Sequence, residues 1–418
     1  MVYQPPAGAR DLLPLDVTQK RWIEKRLRSV FQRWGYHRII TSTLERLDTL
    51  MAGGAIGRST VIQFQDADDE ILGLRPELTA SIARAAVTRM ASTTFPQRLY
   101  YNANVFRRDG NGGHGQQQEF YQAGVELLGA GGTLADAEIL LLLANCLQNL
   151  QLDRVSIVIG EAGLTRSLLE PFPAPLREAV RRAMSHLDRV ALETLPLTPE
   201  LRQRALFLFD LRGRPQDVLQ KLSHLDLDAD ARKTLENLKG LFELLGECDR
   251  SRAGLEDAPS SPSILESAVL DLSLIQPLDY YTGIVFEVVG ETDSGTRILG
   301  QGGRYDRLLS LYHPQGEEFP GIGFALNLED LQQALQSTGQ LPDRTPPSDW
   351  LVVAKTPQAQ AATLAYAQKL RQSPQLVRVE VALGEGDTPE IVRDYAGRRQ
   401  IGQIAWIDPD GSSEIETL

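Results

Sequence analysis

Two stretches of the chain carry side chains whose types and spacing suit recognition of a small polar molecule. The first is Glu119-Phe120-Tyr121-Gln122-Ala123-Gly124-Val125-Glu126. On a strand, Gln122, Gly124 and Glu126 share one face, while Ala123, Val125 and Leu127 share the other. An amide, an empty glycine position and a carboxylate pack poorly against a core but make a good floor for a ligand; the blander reading is a solvated strand face. The second stretch, Leu278–Glu287, spells LDYYTGIVFE. Tyr280 and Tyr281 bring hydroxyls that donate or accept, Asp279 only accepts, and Gly283 lets a ligand approach the backbone. The alternating β-formers that follow make the stretch a strand bordering a pocket. On pattern alone, a core strand with a tyrosine pair is the stronger reading.

A third polar set precedes these. In Leu74-Arg75-Pro76-Glu77-Leu78-Thr79, a strand-like segment places Arg75, Glu77 and Thr79 on one side and leads into a helix from about Thr79 to Ala91. Glu77 and Glu126 suit an α-ammonium and a ring N–H, because carboxylates form the stronger, charge-assisted hydrogen bonds. Two carboxylates and an amide facing a pocket are expected to lack partners until a ligand arrives, at roughly 1–3 kcal/mol per unsatisfied group. Other chemistry finds little support. Gly300-Gln301-Gly302-Gly303 is not followed by the Lys-Ser/Thr that a P-loop needs. No Ser–His–Asp set appears, and the five histidines and two cysteines share no ligand spacing, so no metal or cofactor is expected.

The elements that must hold these residues follow from periodicity and breakers. A helix is predicted from about Leu15 to Trp34, then a strand over Tyr36–Leu44. Val61–Asp66 and Ile71–Arg75 read as an antiparallel pair. Tyr100–Arg107 and Glu119–Leu128 read as strands around the glycine-rich loop Asp109–Gly115. A helix over Leu134–Leu150 and a strand over Val155–Gly160 follow. Residues 164 to about 248 read as helices, and Asp257–Pro262 as a loop. Pro342–Pro347 is a linker, and residues 349–418 alternate strand and helix as a small α/β unit.

At 418 residues, with 42% hydrophobic and 23% charged content, the chain suits two or three globular domains. The net charge of −12 argues against nucleic acid, whose phosphates attract basic surfaces. Two cysteines, no apolar run of about 18 residues and no signal-peptide plan over Met1–Pro14 imply a cytoplasmic protein away from membranes.

LDYYTGIVFE, together with Gly8-Ala9-Arg10-Asp11-Leu12-Leu13-Pro14, Leu74–Glu77, the paired strands around Arg107 and Gly302–Asp306, resembles the histidyl-tRNA synthetases and their non-catalytic relatives. The resemblance covers residues 1 to about 340. It implies an α+β fold of the class II aminoacyl-tRNA synthetase type: an antiparallel sheet with flanking helices, a helical insertion over about 164–258, and a C-terminal domain at 349–418 like a shortened anticodon-binding domain. It implies a histidine site at Glu77, Thr79, Gln122, Glu126, Tyr280 and Tyr281, with Arg107 as the retained arginine of motif 2. It also implies a dimer face over Leu15–Leu44, where Ser42 replaces the usual proline.

Departures from the family pattern fall on the catalytic half. Gln276 stands where an arginine precedes LDYY, and Asn327-Leu328-Glu329-Asp330 replaces Gly-hydrophobic-Glu-Arg. A side chain thus occupies the adenine floor, and a carboxylate replaces a cation that would meet phosphates. Residues 349–418 hold seven Lys/Arg against ten Asp/Glu, net −3, which suits an anticodon stem poorly. This combination is similar to the regulatory subunits of ATP phosphoribosyltransferase, in the first step of histidine biosynthesis. That resemblance implies a non-enzymatic chain, a short-form catalytic subunit as partner within a hetero-oligomer, and histidine as feedback ligand. A working histidyl-tRNA synthetase, or a synthetase-like amino-acid sensor with another partner, remains open at this point.

Overall fold

Pro14 opens a helix, Pro14–Arg33, in a computed structural model that describes residues 5–6, 8–54, 56–108, 117–253, 263–274, 280–293, 295–384 and 388–418. The helix starts there because proline lacks the N–H that a first turn leaves unpaired, and Asp16 accepts from the Leu13 N–H at 3.0 Å. Ile23, Leu27, Val30 and Phe31 recur at helical spacing and are buried. The loops Asp109–Gly115 and Asp257–Pro262 lie outside the described residues, as do Gln276 and Asp279. The chain divides into two units, Met1–Pro342 and Asp343–Leu418.

In the first unit the strands run β1 (His37–Arg38), β2 (Leu44–Arg46), β3 (Gln63–Gln65), β4 (Ile71–Leu74), β5 (Gln97–Phe106), β6 (Glu119–Leu128), β7 (Val155–Glu161), β8 (Arg212–Gly213), β9 (Ala268–Asp271), β10 (Ile284–Thr292), β11 (Gly295–Arg304) and β12 (Gly321–Asn327). Nine form one sheet in the order β1-β5-β6-β12-β11-β10-β7-β9-β8. The ladders from β5 to β7 are antiparallel. The remaining three form a small antiparallel sheet, β2-β4-β3. Helices Pro14–Arg33, Thr133–Asn149 and Leu328–Gln336 bury their apolar stripes against one face of the large sheet, where Ala123, Val125 and Leu127 point. The opposite face carries a second cluster, with Leu78, Ile82, Tyr101, Val105, Tyr305 and Leu308. Polar residues of β6 open onto that second face.

Three expectations need correction. Tyr36–Leu44 is not one strand: β1 pairs with β5, and Leu44 begins a strand of the other sheet. The Arg75 guanidinium causes the switch, drawing in the carbonyls of Thr41 (2.9 Å) and Ser42 (3.2 Å) so that neither joins a ladder. The strand reading of Arg75–Thr79 also fails, because β4 stops at Leu74 and the chain turns at Pro76 into a helix, Thr79–Thr88. The helical insertion, from Ala162–Leu169 to Ala229–Ala253, holds one exception, β8, which extends the large sheet beyond β9.

The second unit has β13 (Trp350–Ala354), β14 (Val379–Val381), β15 (Gln403–Ile407) and β16 (Ser413–Thr417) in the order β14-β13-β15-β16. Helices Gln360–Arg371 and Pro389–Arg399 bury Ala367, Val392 and Ala396. The final strand is absent from the sequence reading, since Ser413-Glu414-Ile415-Glu416-Thr417 is too polar to stand out.

Candidate functional site

Register puts the site together. Across the central sheet, Glu126 lies opposite Gly323, Gly124 opposite Ala325, and Gln122 opposite Asn327. Gly303 and Gln301 lie opposite Gly323 and Ala325 in turn. These residues share the face away from the helices. Over them stand the start of helix Thr79–Thr88 and the Tyr280-Tyr281 turn, enclosing a cavity of about 270 Å³. All six predicted binding residues, Glu77, Thr79, Gln122, Glu126, Tyr280 and Tyr281, line it together with Arg107.

Two glycines make room. A Cβ at position 323 would overlap the Glu126 carboxylate and the Val125 carbonyl, and one at 303 would meet the Tyr281 ring. The glycine-rich run therefore clears space for the site's own side chains rather than cradling phosphate.

Glu126 is 1% exposed and fully hydrogen-bonded. Its Oε1 accepts from Thr79 Oγ1 at 2.7 Å, and its Oε2 accepts from the Tyr305 hydroxyl. Burial pushes its carboxyl up to about 8, against the lowering effect of those hydrogen bonds, with nearby Glu77 adding to the rise. Glu77 caps the helix: its Oε1 accepts from the Ala80 N–H at 2.9 Å, and its Oε2 from the Thr79 N–H. Burial raises its pKa as well, opposed by those bonds.

The expectation of two partnerless carboxylates is thus wrong, because the local backbone and two hydroxyls already serve them. The orphan is the amide. Gln122, 3% exposed, donates Nε2 to Asn327 Oδ1 at 3.0 Å, while its Oε1 has no partner among the described residues.

Tyr280 and Tyr281 meet edge to face, with ring centroids 4.8 Å apart, and precede β10 rather than lying in it. Burial raises both phenols, which stay protonated as donors. The Arg107 Nε donates to the Pro76 carbonyl at 2.9 Å, and the guanidinium enters no ion pair among the described residues. Arg75 does not join the site; its guanidinium serves backbone carbonyls.

Sequence reasoning missed Tyr305, Tyr101, Gln301 and the apolar wall of Leu50, Ile56 and Leu308. Gln301 was findable as the one polar side chain within Gly300–Gly303. The wall comes from distant segments and left no local signal.

The residues that the resemblance places on the nucleotide side are tied up by internal bonds. Besides the contact from Gln122 to Asn327, Asp330 pairs with Arg297 at 3.3 Å. Both Glu329 oxygens accept from the Tyr121 N–H, at 3.1 and 3.2 Å. Among the described residues no group of three His, Cys, Asp or Glu could hold a metal, and no helix is long and apolar enough to cross a membrane.

A family model described as histidyl-tRNA synthetase matches residues 8–331. A protein of Nostoc sp. strain PCC 7120 named ATP phosphoribosyltransferase regulatory subunit is 64% identical over the whole of both chains. One of the same name from Cyanothece sp. is 58% identical, again over both full lengths. Among solved structures, a Bacillus halodurans protein described as an ATP phosphoribosyltransferase regulatory subunit/histidyl-tRNA synthetase superposes with a TM-score of 0.80 at 26% identity, covering 98% of this chain and 99% of the other. The histidyl-tRNA synthetase of Nostoc sp. PCC 7120 shares the fold, with a TM-score of 0.72 at 20% identity over 99% of this chain and 94% of its own.

Proposed function

We propose, since the chain belongs to the family of ATP phosphoribosyltransferase regulatory subunits, that it binds free histidine in the cavity beneath Tyr280 and Tyr281 and has no catalysis of its own. The observation that carries this reading is an asymmetry within one site. The amino-acid half keeps Glu77, Thr79, Gln122, Glu126 and the tyrosine pair around open space. The nucleotide half has Asn327 and Asp330 tied to Gln122 and Arg297. ATP would meet an amide where its base should lie, and a paired carboxylate where its phosphates need a cation. The volume fits the same view, lying near the lower end of ligand pockets, which span roughly 300–1,000 Å³.

A second line of support comes from Nostoc sp. PCC 7120, which has both the 64%-identical relative and a separate histidyl-tRNA synthetase. An organism with a dedicated synthetase has no need of this kind of chain for charging tRNA.

A regulatory subunit acts on a catalytic one, and coupling requires contacts that differ between two states. The partner in this reading is the short-form catalytic subunit of ATP phosphoribosyltransferase, in equal numbers within a hetero-oligomer whose building block is a dimer of this chain. Ile40 and Leu44, apolar yet 77% and 43% exposed, support a self-contact through this part of the chain. Nucleic acid is not a partner in this reading, given the net charge of −12, and the setting is cytoplasmic.

The experiment follows phosphoribosyl transfer by the catalytic subunit with and without this chain, across a histidine titration, beside sizing of the mixture. Activation on mixing, a joint peak and inhibition by histidine are expected. Full activity of the catalytic subunit alone, or two separate peaks, overturns the reading.

A further inference from the structure

We infer that Gln301 reads the carboxylate of the bound amino acid, donating its side-chain NH₂ from the floor of the cavity, and so makes the site selective for ligands whose carboxyl group is free. This rests on the reading of the cavity as an amino-acid site.

Strand register rules the floor into rows. One row holds Glu126, Gly323 and Gly303, the next holds Tyr101, Gly124, Ala325 and Gln301, and a third holds Gln122 and Asn327. The outer rows already have partners. Glu126 accepts from Thr79 and Tyr305, and Gln122 and Asn327 bond each other at 3.0 Å. The middle row does not. Glycine and alanine bring no polar side-chain atom to it, which leaves the Gln301 amide and the Tyr101 hydroxyl, lying over Gly124. Neither makes a hydrogen bond among the described residues, and both residues line the cavity. Gln301 has the parity of Gly303, where a Cβ would meet the Tyr281 ring, so its side chain rises on the cavity side, half-buried.

An amide can donate or accept, and the supply of partners decides which end serves a ligand. This cavity is rich in acceptors. Glu77 and Glu126 suit the cationic and N–H groups of an amino acid, and both repel its carboxylate. That carboxylate needs donors. The Thr79 and Tyr305 hydroxyls are spent on Glu126, and Arg107 gives its Nε to the Pro76 carbonyl. Gln301 and Tyr101 are the uncommitted donors of the floor, with the short Ala325 side chain beside Gln301 keeping the approach open. Glu287, directly opposite Gln301 on β10, does not line the cavity.

Calorimetry of the full chain with histidine and with histidinol, its analogue bearing an alcohol in place of the carboxylate, tests this. The wild type is expected to prefer histidine. Gln301→Met keeps the length, removes the donors and should cut that preference about tenfold, as loss of one charge-assisted hydrogen bond implies. Gln301→Glu keeps the shape, sets a like charge against the ligand and should lower the preference further. An unchanged ratio in Gln301→Met, or an equal loss for both ligands, shows a packing role only and overturns the assignment. A wild-type readout makes the test independent of how the variants fold: the Gln301 side-chain NH₂ resonance should shift with histidine and stay nearly still with histidinol. Equal shifts, or none with histidine bound, also overturn it. Absence of histidine binding to the wild type is the separate outcome that overturns the amino-acid site itself.

Discussion

Tyr305 reaches from the end of β11, past β12, to donate its hydroxyl to Glu126 on β6. The bond gives a buried carboxyl one of its two hydroxyl donors, and burial still prevails, holding Glu126 up at about 8. A folded-state pKa raised above the unfolded value stabilises below the unfolded pKa, and that stability is lost as pH rises through the folded one. The wild type should therefore lose stability between about pH 4.5 and 8, by up to about 1.4 kcal/mol per pH unit from this group. Glu126→Gln removes the slope. Urea denaturation of both proteins at pH 5.5 and 8.5 checks this: the variant should gain on the wild type at the higher pH, and parallel behaviour would contradict the assignment.

Replacing Gly323 by alanine should destabilise the fold by about 1–3 kcal/mol, the usual cost of overpacking. The added Cβ has nowhere to go between the Glu126 carboxylate and the Val125 carbonyl. Gly397→Ala is the matched control, with open space around the new Cβ inside helix Pro389–Arg399. It should be neutral or gain about 0.5–1 kcal/mol. Chemical denaturation midpoints separate the two.

The purified chain should not form histidyl-adenylate. Asn327 holds Gln122, Asp330 holds Arg297, and Gln276 stands where the resembling enzymes carry an arginine. Histidine-dependent pyrophosphate exchange is the measurement, with background counts expected. Asp330→Arg alone should restore nothing, since it leaves Asn327 in place and sets a second cation against Arg297. Exchange above background in either protein would reopen the synthetase reading.

Ile40→Asp should convert a dimer of this chain to monomer at micromolar concentration while leaving its melting temperature within a few degrees. The side chain is 77% exposed, so the folded unit does not depend on it. Sedimentation velocity decides, and an unchanged coefficient would place the self-contact elsewhere.

Much of the site was legible because strand alternation is a strict code. Gln122, Gly124 and Glu126 had to share a face, and β6 spans the predicted Glu119–Leu128 without adjustment. The same logic failed at Arg75–Thr79, where Pro76 and the capping bonds of Glu77 turn the chain. Alternation has no meaning outside a strand. Tyr305 and the Leu50–Leu308 wall were illegible for another reason: they reach the cavity only through the packing of segments far apart in sequence. The two short strands in place of Tyr36–Leu44 depend on Arg75, a single buried guanidinium whose partners no local pattern announces.

Glu77 lines the cavity and, from two residues ahead of helix Thr79–Thr88, also holds that helix's first N–H groups. A ligand that draws on its carboxylate competes with the amides of Thr79 and Ala80 for the same two oxygens. Occupancy is then written into the fraying of that helix end, where two backbone protons become a built-in gauge of how full the pocket is.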